Sequence, residues 1–143
     1  LIHAWCLLAD EGIFPQLILT IDSRKYTQLW DFIHEKISIN QLHIKNIYKN
    51  ELVNELYKKA DALIYPSLFE SFGLPIIEAR SFNLPVLASE LDYVRDLIDP
   101  EETFDPNSPG SIFRAVKRFM GHKTYQVDLN TGIDFINLIC RIP

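Results

Sequence analysis

The sequence predicts an α/β domain whose parallel, doubly wound sheet carries helices on both faces. Two observations carry that reading. Short apolar runs bounded by turn residues, at 17–21, 42–47, 62–65 and 86–88, alternate with segments whose apolar residues repeat at three- and four-residue intervals; that alternation is the pattern of a parallel sheet with crossover helices. The stretch 62–89 then joins strand, helix and strand in so few residues that a right-handed crossover unit is the economical topology.

Taken in order, Ile2, Trp5, Cys6 and Ala9 share one helical face, which Gly12 closes ahead of Pro15. Residues 17–21 form a compact apolar run, expected as a strand buried on both faces. Asp22 and Ser23 offer an N-cap for a helix with Tyr26, Leu29, Trp30, Ile33 and Ile37 inward. A shorter strand is expected at 42–47. A helix near Glu51 follows, with Leu52, Val53, Leu56, Tyr57 and Ala60 on its buried side. After the central unit come a short helix at 92–98, stopped by Asp99-Pro100, and an edge strand at Thr103 and Phe104. Ile112, Ala115, Val116 and Phe119 again share a face, and that helix ends near Gly121.

The central unit concentrates its polar residues where the first strand exits and the helix begins, the edge at which open α/β sheets bind ligands. Pro66 ends the strand because it cannot donate to a ladder. Gly73 permits an unusual backbone angle and close approach of a ligand. Pro75 suits a first helical turn, where its missing N–H costs nothing. The amides of Gly73 and Leu74, backed by the helix dipole, would seat an anion such as a diphosphate. Glu70 precedes the turn and Glu78 lies about one helical turn beyond it. Carboxylates repel phosphate but accept hydrogen bonds from hydroxyls, two at a time. A phosphate seat flanked by two such groups describes a site for a nucleotide sugar. Taken singly, a Gly-Leu-Pro turn is ordinary punctuation and a helical glutamate is ordinarily solvated; the combination is far more specific.

The string PSLFESFGLPIIEA resembles the signature of retaining, nucleotide-sugar-dependent glycosyltransferases of the GT-B type, family 4, in which two glutamates stand eight positions apart around a Phe-Gly-Leu-Pro core. The resemblance extends over roughly residues 1–121, and implies a Rossmann-like three-layer αβα sandwich, the C-terminal, donor-binding half of a GT-B fold. It implies Glu78 on the ribose hydroxyls and Glu70 on hydroxyls of the donor sugar, where it is the candidate catalytic residue. Ser71 and Phe72 would shape the loop, and the amides of Gly73 and Leu74 would face the diphosphate. LIHAW is similar to the family's helix that follows a strand and a basic loop. By that comparison the leading strand, an Arg/Lys pair and an N-terminal acceptor-binding domain lie outside this sequence, so the isolated chain is expected to be inactive. Residues 122–143 read either as part of the helix that crosses back to that domain or as a disordered tail.

The sequence departs from the family pattern in three places. Thr20-Ile21-Asp22-Ser23 stands where a glycine-containing turn is frequent, and ASELDYVRDLI replaces a glycine-rich stretch. Asn46 stands where a glycine is frequent, near the loop 46–49 expected to approach the base; asparagine tolerates left-handed angles, which would preserve the turn.

Composition narrows the alternatives. The 143 residues are 48% hydrophobic and 23% charged, ordinary for one globular domain. A formal net charge of -5 and no basic stripe argue against nucleic acid as a partner. No apolar run reaches the roughly 20 residues of a membrane span, and the first residues lack the basic and small-residue features of a secretory signal. Cys6 and Cys140 do not form a disulfide framework, which favours a reducing, cytoplasmic setting, in solution or at the inner face of the membrane. The resemblance allows peripheral membrane association through the N-terminal domain. No metal or cofactor is implied beyond the donor nucleotide sugar. His3, His34, His43 and His122 are dispersed and read as surface or packing residues.

Paired carboxylates also invite a hydrolase, but the flanking turn serves a phosphate rather than a hydrolytic water. The rival readings are a GT-B-like nucleotide-sugar epimerase and a non-catalytic nucleotide-binding remnant. Synthesis of a polysaccharide or glycolipid is expected by analogy alone.

Overall fold

The computed structural model describes residues 1–48, 53–70 and 72–122. In chain order it contains α1 (Ile2–Asp10), β1 (Leu17–Leu19), α2 (Thr27–Asn40), β2 (Ile44–Asn46), α3 (Val53–Lys59), β3 (Leu63–Tyr65), α4 (Leu74–Ser81), β4 (Val86–Ser89), α5 (Asp92–Arg95), β5 (Glu102–Phe104) and α6 (Pro109–Phe119). Every strand pair among the described residues is parallel: Leu17 registers with Ile44, Leu63 with Val86, and Leu87 with Glu102.

Side-chain alternation along the strands defines three layers. On β4, Leu87 enters a core with α1, α2 and α6, built from Trp5, Leu8, Ile33, Ile112, Ala115 and Phe104. Its neighbours Val86 and Ala88 enter the opposite core, with Ile76 and Ala79 of α4 and Val94 of α5. β3 divides in the same way, Ile64 to the first core, Leu63 and Tyr65 to the second. This is the expected αβα arrangement. The strands fall in two ladders, β1-β2 and β3-β4-β5.

Several boundaries differ from the sequence expectation. β1 stops at Leu19 because the backbone of Ile21 is satisfied by a side chain instead of a strand: its N–H donates to Asn46 Oδ1 (3.1 Å) and its carbonyl accepts from Asn46 Nδ2 (2.9 Å). Only Leu17 of β1 is fully buried, so burial on both faces is not found. Asn46 lies inside β2 and is not among the residues with positive φ, so it makes no left-handed turn. Lys49 is outside the described residues. α2 begins at Thr27, because Asp22 closes a separate turn, accepting from the Arg24 amide through its side chain and from Lys25 and Tyr26 through its carbonyl. Tyr26 and Leu29 are exposed, leaving Ile33 as the buried residue of that helix with Trp30 and Ile37 beside it. On α3, Val53, Leu56, Tyr57 and Ala60 are only partly buried, and Glu51 and Leu52 lie outside the described residues. α5 is shorter than expected, its last turn continuing as Leu97 and Ile98 amides on the Val94 carbonyl.

Other elements agree closely. Ser108 caps α6 by accepting from the Ser111 amide, with Pro109 in the first turn. The four histidines are exposed, and His3, His34 and His43 rest against Phe32, Trp30 and Phe14. The tail 123–143, with Cys140, lies outside the described residues, as does the expectation that it forms a crossing helix.

A polar clamp fastens α4 to the sheet. Arg80, in its last turn, donates to Glu101 Oε1 (2.7 Å) and to the Asp99 carbonyl (2.7 Å), while Glu101 Oε2 accepts from the Val86 amide (2.7 Å). Burial pushes the Glu101 carboxyl up, but the Arg80 guanidinium and the backbone donors outweigh it and leave its pKa below the usual carboxylate value. The stabilisation is therefore present above that ordinary value and is lost as pH falls through the depressed one. Glu101→Gln is expected to be less stable than the parent by about 1 kcal/mol at pH 7, with the gap closing as pH falls below the ordinary carboxylate range. Urea denaturation across that range measures it; a gap independent of pH would mean that the charge plays no part.

Candidate functional site

The loop 66–73 leaves the carboxyl end of β3 and turns into α4. Its course is pinned from the neighbouring strand. Ser89, the last residue of β4 and fully buried, donates to the Ser67 carbonyl (2.7 Å) and lies 3.4 Å from that of Tyr65. Tyr93, on α5, donates to the same Ser67 carbonyl (3.2 Å), and the Ser67 hydroxyl donates to the Phe69 carbonyl (3.0 Å). A loop with these anchors holds its course through hydrogen bonds rather than through apolar contact. Leu68, Phe69 and Phe72 are exposed, Phe69 to 87%.

The turn itself has the geometry that the sequence required of a glycine. Gly73 is the N-cap of α4 with φ 57° and ψ 34°, in the left-handed region, and Pro75 occupies the first turn. No side chain caps this helix start among the described residues. The Gly73 carbonyl accepts from the amides of Ile76 and Ile77 (2.9 and 3.3 Å). Gly73 is buried, because Leu97 lies over its α-carbon, whereas Phe72 and Leu74 on either side are exposed. Phe72, Tyr93, Asp96 and Leu97 line an open cavity of about 260 Å³ beside the turn. Ser71 lies outside the described residues.

Both carboxylates are held by tyrosines. Tyr65, the last residue of β3, donates its hydroxyl to Glu70 Oε2 at 2.7 Å, the short range of a charge-assisted bond. Tyr57, on α3, donates to Glu78 Oε2 at 3.1 Å. Glu70 is half-buried and Glu78 is exposed on α4. Burial, and then the neighbouring carboxylate, push the Tyr57 hydroxyl up to about 12 and the Tyr65 hydroxyl well above its ordinary value. The Tyr93 hydroxyl is also raised, chiefly by burial. All three are protonated donors at neutral pH.

Sequence reasoning named Glu70, Phe72, Gly73, Leu74 and Glu78 and left out Tyr57, Tyr65, Ser89 and Tyr93. A signal was present for Tyr65 and Ser89: each is a hydroxyl closing an apolar strand at the ligand-binding edge. Tyr57 carried no such signal, since it fell on the apolar face of its helix. Among the described residues no cluster of His, Cys, Asp and Glu could hold a metal ion, and no helix is long and apolar enough to cross a membrane.

Relatives of known name match part of the chain. The O-antigen chain mannosyltransferase RfbU of Salmonella typhimurium is 40% identical over 87 residues, 60% of this chain and 21% of that protein. O-antigen chain mannosyltransferase B of Escherichia coli is 31% identical over 85 residues, 59% of this chain and 22% of that protein. The lipopolysaccharide 1,6-galactosyltransferase of Salmonella typhimurium is 32% identical over 73 residues, half of this chain and 19% of that protein. The chain thus matches about a fifth of the length of each of these relatives. The family model for glycosyl transferases group 1 matches residues 14–131, most of the sequence and all of the loop and turn just described, and the chain belongs to that family.

Proposed function

We propose that the chain is the donor-binding half of a retaining glycosyltransferase that takes its sugar from a nucleoside diphosphate sugar. The observation that carries this reading is the left-handed Gly73 turn opening α4, with a tyrosine-held carboxylate on each side of it in sequence. In this reading the Gly73 and Leu74 amides receive the diphosphate at the helix start, Glu78 accepts from the ribose hydroxyls and Glu70 from hydroxyls of the sugar. Phe72, with Ser71, shapes the loop between them. Negative charge grows on the departing diphosphate during transfer, so fixed donors aimed at it lower the barrier. Glu70 touches the sugar that transfers and is the catalytic residue on this side of the site.

In this reading an N-terminal domain holds the acceptor, and an Arg/Lys pair on the loop that the family carries ahead of α1 completes the diphosphate seat. The chain alone therefore binds donor without turning it over. No metal or further cofactor is part of the scheme. The names of the relatives support a role in assembling a polysaccharide or glycolipid, and the reading sets that work on the cytoplasmic side of the membrane.

Calorimetric titration with GDP-mannose and UDP-galactose, each beside its bare nucleoside diphosphate, tests the reading. One pair is expected to bind. Glu78→Ala should weaken both members of that pair about tenfold while circular dichroism stays unchanged, because Glu78 is exposed and water replaces it on Tyr57. Affinity untouched by Glu78→Ala would remove the ribose assignment, and failure of the parent chain to bind any nucleotide would remove the reading.

A further inference from the structure

We propose that Tyr65 and Tyr57 are positioning residues, each fixing the carboxylate of one donor-binding glutamate before ligand arrives, Tyr65 that of Glu70 and Tyr57 that of Glu78. The inference rests on the donor-site reading and extends it to two residues outside the family signature on which that reading stands.

The geometry makes the two tyrosines rigid supports. Tyr65 belongs to the ladder through its register with Ala88, and its ring packs in the core shared by α4 and β4. Its hydroxyl reaches out of the strand end to Glu70, on a loop whose neighbours Phe69 and Phe72 are solvent-exposed. Tyr57 packs into the same core from α3, with its ring 5.7 Å from that of Phe82, and its hydroxyl reaches across to α4. In each case the ring is fixed by packing and the hydroxyl is the only reach to the carboxylate among the contacts described for that tyrosine. A glutamate left to itself samples many rotamers, and ordering it on binding costs affinity. A support locked by its own packing removes part of that cost. An ionised carboxylate offers about four acceptor sites, and each tyrosine donor occupies one of them. Neither tyrosine ionises near neutral pH, so both supports remain donors throughout the working range.

Phenylalanine variants keep the rings and remove only the hydroxyls. Titrations use GDP-mannose against GDP and UDP-galactose against UDP. Tyr65→Phe is expected to weaken the nucleotide sugar about fivefold and leave the bare nucleoside diphosphate within about twofold, because Glu70 meets only the sugar. Tyr57→Phe should weaken both ligands about threefold, because Glu78 meets the ribose that they share. In a Glu70→Gln background, Tyr65→Phe should add less than about twofold, since the two changes act on one contact. Three results would overturn the inference: full affinity in both phenylalanine variants, equal losses for both ligands in Tyr65→Phe, or an undiminished Tyr65→Phe effect on top of Glu70→Gln. A parent chain that binds none of the four ligands would instead remove the donor-site reading, and this inference with it. Thermal unfolding of each variant separates a stability effect, which lowers the midpoint without producing the ligand-selective pattern.

Discussion

Glu70→Gln is expected to weaken binding of the nucleoside diphosphate sugar by about 10- to 100-fold while the bare nucleoside diphosphate binds within about twofold of the parent. A hydrogen bond to a charged group contributes roughly 1.5–3 kcal/mol, which sets that range. Glutamine keeps the shape of the side chain and retains an oxygen for the Tyr65 hydroxyl, so the loop keeps its anchor to β3. What it loses is an acceptor: half of its end group becomes a donor, which faces sugar hydroxyls with the wrong polarity. The loss should appear in the sugar-dependent increment of affinity, measured as the ratio of the two dissociation constants. In an enzyme completed by its acceptor domain, kcat should fall by at least the same factor if Glu70 strengthens its grip on the sugar as the bond to diphosphate breaks. Equal weakening of both ligands would place Glu70 near the nucleotide and undo its assignment to the sugar. An unchanged ratio would remove Glu70 from the site altogether.

The parts of this fold that were legible in the sequence are those decided locally. β4 was expected within one residue because 86–88 is a continuous apolar run following Pro85, and the strand is buried on both faces. α6 was legible because its apolar positions share one face. The Gly73 turn was legible for a stereochemical reason: a helix entered through a left-handed residue requires glycine, and Gly-Leu-Pro announces it.

What was not legible depended on partners distant in sequence. The end of β1 is set by the Asn46 side chain on Ile21, and no pattern within residues 17–21 reports that contact. The inward face of α2 was drawn from apolar spacing, yet Tyr26 and Leu29 stay exposed. Apolar spacing states which residues can be buried, whereas burial needs something to pack against. The candidate site divides along the same line. Its carboxylates and glycine belong to one contiguous string, while their supports come from α3, β3, β4 and α5, and only the fold brings these together.

Gly73→Ala is expected to lower stability by about 1–2 kcal/mol and the thermal midpoint by about 3–8 °C, and to weaken diphosphate binding about tenfold. Two effects act at this position. An alanine must hold φ near 57°, where its Cβ crowds the backbone. That Cβ would also stand 2.6 Å from Leu97 Cδ1, too close for contact, while Ile76 Cδ1 at 3.7 Å is at an ordinary distance. The Leu97 clash is the cheaper of the two, because a methyl at the partly exposed end of a flexible side chain can swing away. Backbone strain has no such exit, except by moving the first turn of α4 and with it the amides of Gly73 and Leu74. Asparagine separates the two effects. It is larger than alanine but enters the left-handed region at lower cost, so Gly73→Asn should be the more stable of the two variants. If Gly73→Asn were instead the less stable, space under Leu97 would govern the turn, and Leu97→Ala should then rescue both. Affinity for a bare nucleoside diphosphate, read well below either melting temperature so that every variant stays folded, tells whether the displaced amides were those that held the phosphates. Tight binding retained by Gly73→Ala despite its lowered midpoint would leave the helix start without a role in the site.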